Sequence, residues 1–600
     1  MAERMLFADA GTTFTKACLL ERDGGMWRVR ERAAAPTTVD SPNFDVMIGL
    51  RRAIAKLESW TGIRLLSEKH LISTIGEDEG IGRFAATSSA GGGLQVLVAG
   101  LTEQITAESG HRAALGAGAV VTEIVSLNQA GTDFKNLERI RNVPCDMVLI
   151  TGGTDGGNIS DVLTLAEFLS LAAPKPRFGT QAKTPLVYAG NINARTYLES
   201  IVGDSMELIC IDNIRPTIET ESLQPVRDVI QEIFLKHVMS GAPGFKSLAL
   251  WAQDRVKPTP VALGTALTQM ALQDNRDVLA VDVGGATTDV FSIINGRFYR
   301  SVSANVGMSY SMGNVLEETS PEMINQWLPW VQDDSLVRNW HLNKVIRPTT
   351  LPQTIEELVV EQCFAKEAVR LSLNHHRSIV TGLKGIKISR QIGDVFSQHG
   401  TGRTLVDLLS TGAIVGLGGV ITNAPRYNQA LSILLDGIQP EGITDILIDD
   451  GSFLPYAGLI STNGNEGLHQ PLSGIQSPTP IGTCIAPVGP DAKAGTVIAT
   501  VTYGDGSYNI VAGEISVVPW GNSPDGRVLV VPRKDFDVGE GRGNSMTATV
   551  ARSRIGLILD GRGRPLALPE EPSMRVSRLQ QWYKALDVYP EKTLRIGGSD

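Results

Sequence analysis

Two short stretches of the sequence place aspartate, glycine and threonine at a spacing that suits phosphate and metal chemistry. ADAGTTFTK spans residues 8–16 and VDVGGATTDV spans residues 281–290, and each aspartate follows an apolar run. Glycine lets backbone N–H groups approach an anion closely, and threonine hydroxyls add hydrogen-bond donors. An aspartate at the end of each strand can help to hold hydrated Mg²⁺, which keeps several waters and uses few protein carboxylates.

The pairing of the two stretches is what favours a function for them. One hairpin of this kind is usually only a turn, but here each of the two opens its own α/β half. Asp9 and Asp282 are the candidate metal-positioning carboxylates. Lys16 stands seven residues after Asp9, so a hairpin would return its ammonium group toward a phosphate. The duplication therefore predicts a phosphate and metal site between the two halves.

The elements that must position these residues follow from the hydrophobic pattern. The first 36 residues predict three short strands with tight turns, and an amphipathic helix follows over 43–60. At 277 the strand, turn and strand pattern returns, and 354–377 predicts a long amphipathic helix. Apolar strands and helix-like stretches alternate in between. This alternation is typical of an α/β fold with parallel strands.

The same pattern predicts three regions along the chain. Residues 1–276 form the first half, with an extra α/β segment inserted at about 143–270, and residues 277–465 form the second half. From 466 to 600, short valine- and isoleucine-rich runs alternate with turn residues, which indicates a C-terminal all-β module with a short helix around 574–586. A chain ending near residue 465 is therefore expected to stay folded and to keep its site.

Composition and charge exclude several classes of protein. The chain has 600 residues, 42% of them hydrophobic, and a formal net charge of −10. Nucleic acid and anionic membranes need clustered positive charge, so neither is an expected partner. No apolar run approaches the roughly 18 residues of a membrane span, and no signal-peptide pattern opens the chain, so a cytoplasmic location is expected. Five scattered cysteines predict reduced thiols.

The paired hairpins resemble the two phosphate loops of the superfamily that includes actin, sugar kinases and large heat-shock chaperones. The resemblance implies two actin-like (ribonuclease H-like) lobes with ATP and Mg²⁺ between them. GAIVGLGGVITNAP, residues 412–425, resembles the adenosine loop of that superfamily. The residues that would bind the nucleotide are Gly11, Thr12, Thr13, Gly284, Gly285, Thr287, Thr288, Gly416, Gly418 and Gly419. Lys16 would neutralise charge that develops during hydrolysis, and Asp289 is a supporting catalytic candidate.

A narrower resemblance rests on DVGGATTDV together with three other motifs. SSAGGGLQVLVAGLT (88–102), RAALGAGA (112–119) and MVLITGGTDGGN (147–158) are similar to the accessory protein of glutamate mutase, the MutL or GlmL family, which is unrelated to the mismatch-repair protein. The resemblance covers roughly residues 4–460. It implies an ATP-driven factor that reactivates a client protein, an adenosylcobalamin-dependent mutase. Whether the factor forms a homo-oligomer is left open.

Two other functions, and the role of one further motif, remain open at this point. A small-molecule kinase of the same superfamily would need an aspartate base beside an acceptor hydroxyl, and the sequence marks none. A nucleotide-binding scaffold would bind ATP without turnover. The motif TGGTDGGN at 151–158 also has two interpretations. It is either an anion site at a helix N-terminus or a tight strand–helix turn. Asp155 argues against the anion site, because it would repel a phosphate unless a cation intervened.

Overall fold

The structure of the protein is a computed structural model. It describes residues 3–594 except 24–25, 40–42, 69, 74, 90–93, 128–133, 176–182, 235–243, 254–255, 310, 332–333, 383–403, 462–477 and 521–525. The strands are β1 (Arg4–Ala10), β2 (Phe14–Asp23), β3 (Met26–Pro36), β4 (Arg83–Ser88), β5 (Gln95–Gly100), β6 (Val120–Ser126), β7 (Met147–Gly152), β8 (Thr184–Gly190), β9 (Met206–Cys210), β10 (Val256–Pro258), β11 (Asp277–Val283), β12 (Thr288–Ile294), β13 (Arg297–Ser303), β14 (Thr411–Leu417), β15 (Gly442–Ile448), β16 (Thr479–Ala486), β17 (Val497–Tyr503), β18 (Gly506–Val511), β19 (Ile515–Val518), β20 (Arg527–Pro532), β21 (Met546–Thr549) and β22 (Leu557–Asp560).

Helices connect these strands in most parts of the chain. They are α1 (Val46–Thr61), α2 (Glu108–Gly116), α3 (Phe134–Asn142), α4 (Ser160–Ala172), α5 (Arg195–Val202), α6 (Gln224–Ile233), α7 (Phe245–Trp251), α8 (Thr259–Asp274), α9 (Met312–Glu318), α10 (Pro321–Asn325), α11 (Ser335–Ile346), α12 (Ile355–Ile379), α13 (Gly419–Thr422), α14 (Tyr427–Ile438), α15 (Leu454–Ser461), α16 (Pro572–Ala585) and α17 (Glu591–Leu594). A π-helix, Glu103–Ala107, runs directly into α2, and a 3₁₀ helix, Ile192–Ala194, runs into α5. No helix of the described residues is both long and apolar enough to cross a membrane.

The first two sheets share one topology. The first has the order β10-β4-β1-β2-β3, with β1, β2 and β3 antiparallel and with β4 and β10 parallel to β1. The second contains the same arrangement, β15-β14-β11-β12-β13. The register repeats as well, because Asp9 pairs with Lys16 just as Asp282 pairs with Asp289. The two halves expected from the repeated hairpins therefore correspond to two sheets with equivalent hairpins at equivalent positions.

The third sheet lies in sequence between β4 and β10 of the first. Its five strands are all parallel, in the order β6-β5-β7-β8-β9. The inserted α/β segment therefore begins with β5 near residue 95 rather than near 143 as expected, and α8, over 259–274, packs on the second sheet. The early boundary was missed because β5 and the first-sheet strand β4 read as similar apolar runs, and local pattern does not show which sheet a strand joins.

The C-terminal region departs from the expected all-β module. β16 pairs with β15, β22 pairs with β16, and β19 pairs with β22, so the second sheet has eight strands. Four strands of the described residues, β17, β18, β20 and β21, form a small sheet of their own. α16, expected around 574–586, packs Leu579, Trp582 and Tyr583 into the core of the second half. The boundary expected near 466 is thus corrected, since this region completes the second half.

Two helices cross between the first and second sheets. α8 buries Leu263 and Leu267 against the second sheet, while α15 buries Tyr456 and Leu459 against the first. They meet at Gly458, where an added Cβ would lie 1.8 Å from the carbonyl oxygen of Ala262. Only a residue without a side chain allows the two helices to pass this closely. The crossing therefore joins the two halves directly.

Gly458→Ala is therefore expected to destabilise the protein. The added methyl overlaps a backbone atom, which cannot rotate away, and overpacking of this kind costs about 1–3 kcal/mol. Urea unfolding should show the loss as a lower midpoint. The matched control is Gly382→Ala, because a Cβ there meets nothing closer than 3.9 Å. Equal midpoints for the two variants would show that the helices separate easily.

His376 near the end of α12 is expected to make stability depend on pH. Its ring is fully buried between the hydroxyls of Ser292 and Ser301, each 2.9 Å away. Burial, with a smaller effect of His375, lowers the pKa of His376 to about 3. In the unfolded chain a histidine takes up a proton below about pH 6.5. The free energy of unfolding should therefore fall as the pH drops from 6.5 toward 4, by up to about 1.4 kcal/mol per pH unit.

Denaturant unfolding between pH 7 and pH 4 measures this dependence. The variant His376→Gln has no proton to gain, so its free energy of unfolding should vary less with pH than that of the unaltered protein. The matched control is His70→Gln, because His70 is exposed and should leave the slope unchanged. An identical slope in all three proteins would assign the pH dependence to other groups.

Candidate functional site

The two hairpin turns have the same internal geometry. The N–H of Gly11 donates to the carbonyl of Phe14 at 3.1 Å, and the N–H of Gly284 donates to the carbonyl of Thr287 at 2.9 Å. A Cβ on either glycine would lie 2.8 Å from that carbonyl oxygen. Both turns therefore need glycine at the same position, which explains why the two sequences share it. Thr12 follows Gly11 in the first turn and is partly exposed.

The tips of the two hairpins contact each other. A Cβ on Gly285 would lie 2.3 Å from the hydroxyl oxygen of Thr13. The hydroxyls of Thr13 and Thr288 are buried, and neither makes a hydrogen bond within the described part of the chain. Buried polar atoms are nearly always paired, so such exceptions call for an explanation. The oxygen of a bound phosphate would provide the missing partner for Thr13 at the point where the hairpins meet.

Asp9 is fixed at the end of β1 by hydroxyl groups from two other elements. Its Oδ1 accepts hydrogen bonds from Thr87 of β4 and from Thr259 at the start of α8, both at 2.8 Å. The side chain is almost fully buried. Its position is thus set by the sheet and by the helix that crosses to the second half.

Asp282, the equivalent residue of the second half, is surrounded by negative charge. Burial, together with the carboxylates of Asp289, Asp9 and Asp449, raises its pKa to about 7, while Lys16 acts in the opposite direction. The structure therefore brings both predicted metal-positioning aspartates and the predicted lysine into one electrostatic cluster. A bound cation would relieve the repulsion that this cluster creates.

Lys16 reaches from the first half to the second. Its ammonium group donates to the hydroxyl of Ser452 at 3.0 Å, in the loop between β15 and α15. This contact places the positive charge of the first hairpin beside the end of the second sheet. In this arrangement Lys16 can balance part of the carboxylate cluster and can also meet a phosphate.

Asp289 has a partner that the sequence did not reveal. Its carboxylate forms a buried ion pair with Arg300 of β13, with Nε and Nη2 at 2.8 and 2.5 Å from Oδ1. The hydroxyl of Thr287 approaches the other oxygen at 3.4 Å. Arg300 also donates to the carbonyls of Leu115 and Ala119 at the end of α2. The carboxylate of Asp289 is therefore held in place by Arg300, and this geometry suits a positioning residue better than a general base.

The glycines of the third predicted loop serve different purposes. Gly418 has φ +86°, and a Cβ there would lie 2.2 Å from the carbonyl oxygen of Val283, so it brings the end of β14 against the second hairpin. A Cβ on Gly416 would meet Ile421 and Leu434 at 2.9 Å, which makes this glycine a packing residue. Gly419 begins α13 and is exposed. Gly418 and Gly419 thus lie beside the second hairpin.

Asp449 is a site residue that the sequence reasoning missed. It follows β15, its N–H donates to the carbonyl of Gly416 at 3.0 Å, and it contributes to the raised pKa of Asp282. Its carboxylate accepts the N–H groups of Phe453 and Leu454 at 2.8 and 3.0 Å. The signal was an aspartate after the apolar run ITDILI, as with Asp9 and Asp282. No glycine–threonine turn follows it, so it did not stand out.

Mg²⁺ fits this cluster through water and phosphate rather than through a cage of side chains. Among the residues that the structure describes, no group of three or more His, Cys, Asp or Glu side chains could hold a metal ion directly. The observed cluster instead offers separated carboxylates around Asp282, whose pKa is raised. This matches a small cation that keeps most of its waters.

The turn TGGTDGGN makes its contacts within the protein. Asp155 accepts hydrogen bonds from the side chain of Asn213 at 2.9 Å and from the N–H of Ile192 at 3.0 Å. Asn158 accepts the N–H of Ser160, the first residue of α4, at 2.9 Å. These contacts favour the tight-turn alternative over an anion site. The glycines of the motif SSAGGG, residues 91–93, lie outside the described residues.

The fold and site together define a mixed α/β protein with a duplicated sheet and a carboxylate–lysine cluster where the two equivalent hairpins meet. The chain belongs to the MutL protein family, whose model matches residues 5–471. It is 28% identical over 453 residues to Protein MutL of Clostridium tetanomorphum, a match that covers 71% of this chain and 88% of that protein.

Solved structures show more distant likeness. Nucleotide-free acetone carboxylase is 13% identical, with a TM-score of 0.34, over 76% of this chain and 70% of that one. Nucleotide-free diol dehydratase-reactivating factor is 11% identical, with a TM-score of 0.29, over 76% of this chain and 99% of that one. Component A of (R)-2-hydroxyglutaryl-CoA dehydratase from Acidaminococcus fermentans is 10% identical, with a TM-score of 0.23, over 76% and 96%. Likeness at this level carries no conclusion about function.

Proposed function

We propose that this protein binds Mg·ATP between its two hairpins, hydrolyses it slowly, and uses it as a cytoplasmic accessory factor that reactivates an adenosylcobalamin-dependent mutase. One observation carries the nucleotide part of the proposal: the contact between the two equivalent hairpins, with Asp9, Asp282 and Lys16 in one cluster. The client part is supported by the membership of this chain in the MutL family, because its motifs resemble the accessory protein of glutamate mutase.

In this proposal the two equivalent sheets are the two lobes of an actin-like ATPase. Asp9 and Asp282 would hold Mg²⁺ through water, and the cation would neutralise phosphate charge that the carboxylates would otherwise repel. The turns would hold the phosphates with N–H and hydroxyl groups. The adenosine would lie beside Gly418 and Gly419. The residues assigned to the phosphates are Gly11, Thr12, Thr13, Gly284, Gly285, Thr287 and Thr288.

The chain's own groups would then perform three tasks. Lys16 would stabilise charge on the terminal phosphate, since an ammonium group fixed in a cleft acts strongly on charge that develops there. Arg300 would hold Asp289 in place. The crossing of α8 and α15 would let the lobes close on a triphosphate and relax on a diphosphate, so that the two nucleotide states present different surfaces to the client.

Reactivation is the direct test of this function. Adenosylcobalamin-dependent glutamate mutase is inactivated by turnover, and this protein is added with fresh adenosylcobalamin and either ATP or ADP. Activity should return with ATP alone, and Asp9→Asn should abolish the recovery. The matched control is Asp505→Asn, which alters an exposed turn and should reactivate normally. The client proposal fails if the mutase neither recovers nor binds in a nucleotide-sensitive way, and stimulation of turnover by a metabolite would instead favour a kinase.

A further inference from the structure

We propose that the client enzyme docks on the carboxyl edge of the third sheet, and that the client's own contact patch has an apolar side chain surrounded by lysine and arginine. The inference rests on the proposed function for the identity of the client. The docking face consists of the loops that follow β7, β8 and β9. In open parallel sheets the carboxyl ends of the strands are where binding surfaces form.

Hydrogen bonds among the three loops make this face rigid. The side chain of Asn213, after β9, donates to the carbonyl of Gly153 and to Asp155, both at 2.9 Å. Asn191, after β8, donates to the carbonyl of Gly157 at 2.9 Å. Asn191 and Asn213 are buried, so they serve as internal supports. A surface that is already ordered loses little conformational freedom when a partner binds.

Apolar side chains nevertheless point to solvent from this rigid face. Ile192 is 49% exposed and Ile218 is 46% exposed, and Tyr197, in the first turn of α5, is 52% exposed. Asp155 links the two isoleucine-bearing loops, since it accepts the N–H of Ile192 and donates its own N–H to Pro216. A β-branched side chain held in the open on an ordered loop suits burial against another protein.

The charges around these side chains identify the partner chemistry. Exposed acids on the three loops and in the first turn of α4 are Asp155, Asp161, Asp212 and Glu219. On the described part of the same loops the cations are Arg195, which contacts Asp212 at 3.9 Å, and Arg215, which is buried. The face is thus apolar at its centre and negative at its rim. A client surface with the opposite charge would be attracted to it and aligned by it.

A continuous set of contacts joins the docking face to the nucleotide site. Arg300, which holds Asp289, donates to the carbonyl of Leu115 at the end of α2. At the opposite end of that helical segment, the carbonyl of Ile105 accepts from Arg215 at 3.4 Å, and Arg215 also donates to Ile218 at 2.5 Å. The helix therefore connects the hairpin cluster with a loop of the docking face. A displacement of the helix at the hairpin cluster would therefore also displace the loop of the docking face.

The test measures binding of turnover-inactivated, cobalamin-loaded glutamate mutase to the full-length protein. In the double variant Ile192→Ser, Ile218→Ser the affinity for the mutase should fall at least tenfold, while the affinity for Mg·ATP stays unchanged. The charge variant Asp212→Lys, Glu219→Lys should weaken binding and reduce its dependence on salt. The matched control is Leu342→Ser, Ile346→Ser, which alters two apolar residues on α11 that are at least as exposed and should bind normally.

A change of affinity in the α11 variant but not in the docking-face variants would overturn the inference and leave the proposed function standing. If the unaltered protein binds no such mutase, the proposed function fails and this inference fails with it. Arg300→Lys keeps a charge beside Asp289 but cannot reach both carbonyls. It should bring the ratio of mutase affinities measured with ATP and with ADP toward one, and an unchanged ratio would contradict the link through α2.

Discussion

Asp282→Asn is expected to stabilise the nucleotide-free protein and to weaken Mg-dependent ATP binding strongly. The raised pKa of Asp282, about 7, means that folding favours its protonated form. Its contribution to stability is therefore complete below the ordinary aspartate pKa near 3.9 and is lost as the pH rises through about 7. At pH 8 the neutral amide should raise the free energy of unfolding by roughly 1–3 kcal/mol, the lower part of the range reflecting solvent screening.

The same substitution removes a metal-positioning carboxylate, so Mg·ATP affinity should fall on the order of 100-fold. Thermal unfolding at pH 8, with and without Mg·ATP, measures both the change in stability and the change in nucleotide affinity. The variant should melt higher than the unaltered protein without nucleotide and gain little when nucleotide is added. Asp505→Asn is again the control. A variant that is less stable and binds nucleotide normally would mean that Asp282 is an ordinary structural carboxylate.

Removal of residues 466–600 is expected to prevent the second half from folding. The deletion takes away β16, β19 and β22, so that β15 becomes an open edge with unpaired backbone groups. It also removes Tyr583, whose hydroxyl accepts from Lys366 at 2.7 Å. The shortened chain should be insoluble or should lack a cooperative unfolding transition. A chain ending at residue 594 is the control and should fold.

A single substitution tests the same dependence without a deletion. Arg562, in the C-terminal region, pairs with Asp436 of α14 at 2.7 Å and with Asp560 at 2.8 Å, and all three side chains are at most 1% exposed. Arg562→Met removes one partner from each carboxylate, while Asp436 keeps Lys366 and Asp560 keeps Arg564, each at 2.8 Å. Loss of the sole partner of a buried charge costs about 3–5 kcal/mol, so a destabilisation below that range is expected. A stable, nucleotide-binding chain ending at 465 would show that the C-terminal strands are an accessory to the sheet.

The residues of the two hairpins were accessible to sequence reasoning because their geometry is local. A glycine turn between two strands fixes which residues pair, so the partners Asp9 and Lys16 follow from spacing alone. The long helix α12 and the C-terminal helix α16 were also visible, since each carries an apolar stripe within one segment. Local periodicity is sufficient for such elements.

The contacts that sequence reasoning missed depend on distant parts of the chain. Strands β16, β19 and β22 have the same texture as β17 and β18, and only their partner strands distinguish the second sheet from the small one. The ion pair between Asp289 and Arg300 joins adjacent strands, yet the contact of Arg300 with α2 joins the second half to the inserted segment. Asp449 enters the cluster through a parallel strand. Such associations are set by tertiary packing.

The most direct test of the account follows hydrogen exchange in the full-length protein when Mg²⁺ and a non-hydrolysable ATP analogue are added. The backbone amides of residues 12–13 and 285–286 are expected to become protected together, because both turns would hold the same phosphates. Magnesium alone should not produce this protection. Protection of one hairpin without the other, or of neither, would contradict a nucleotide site between the two halves.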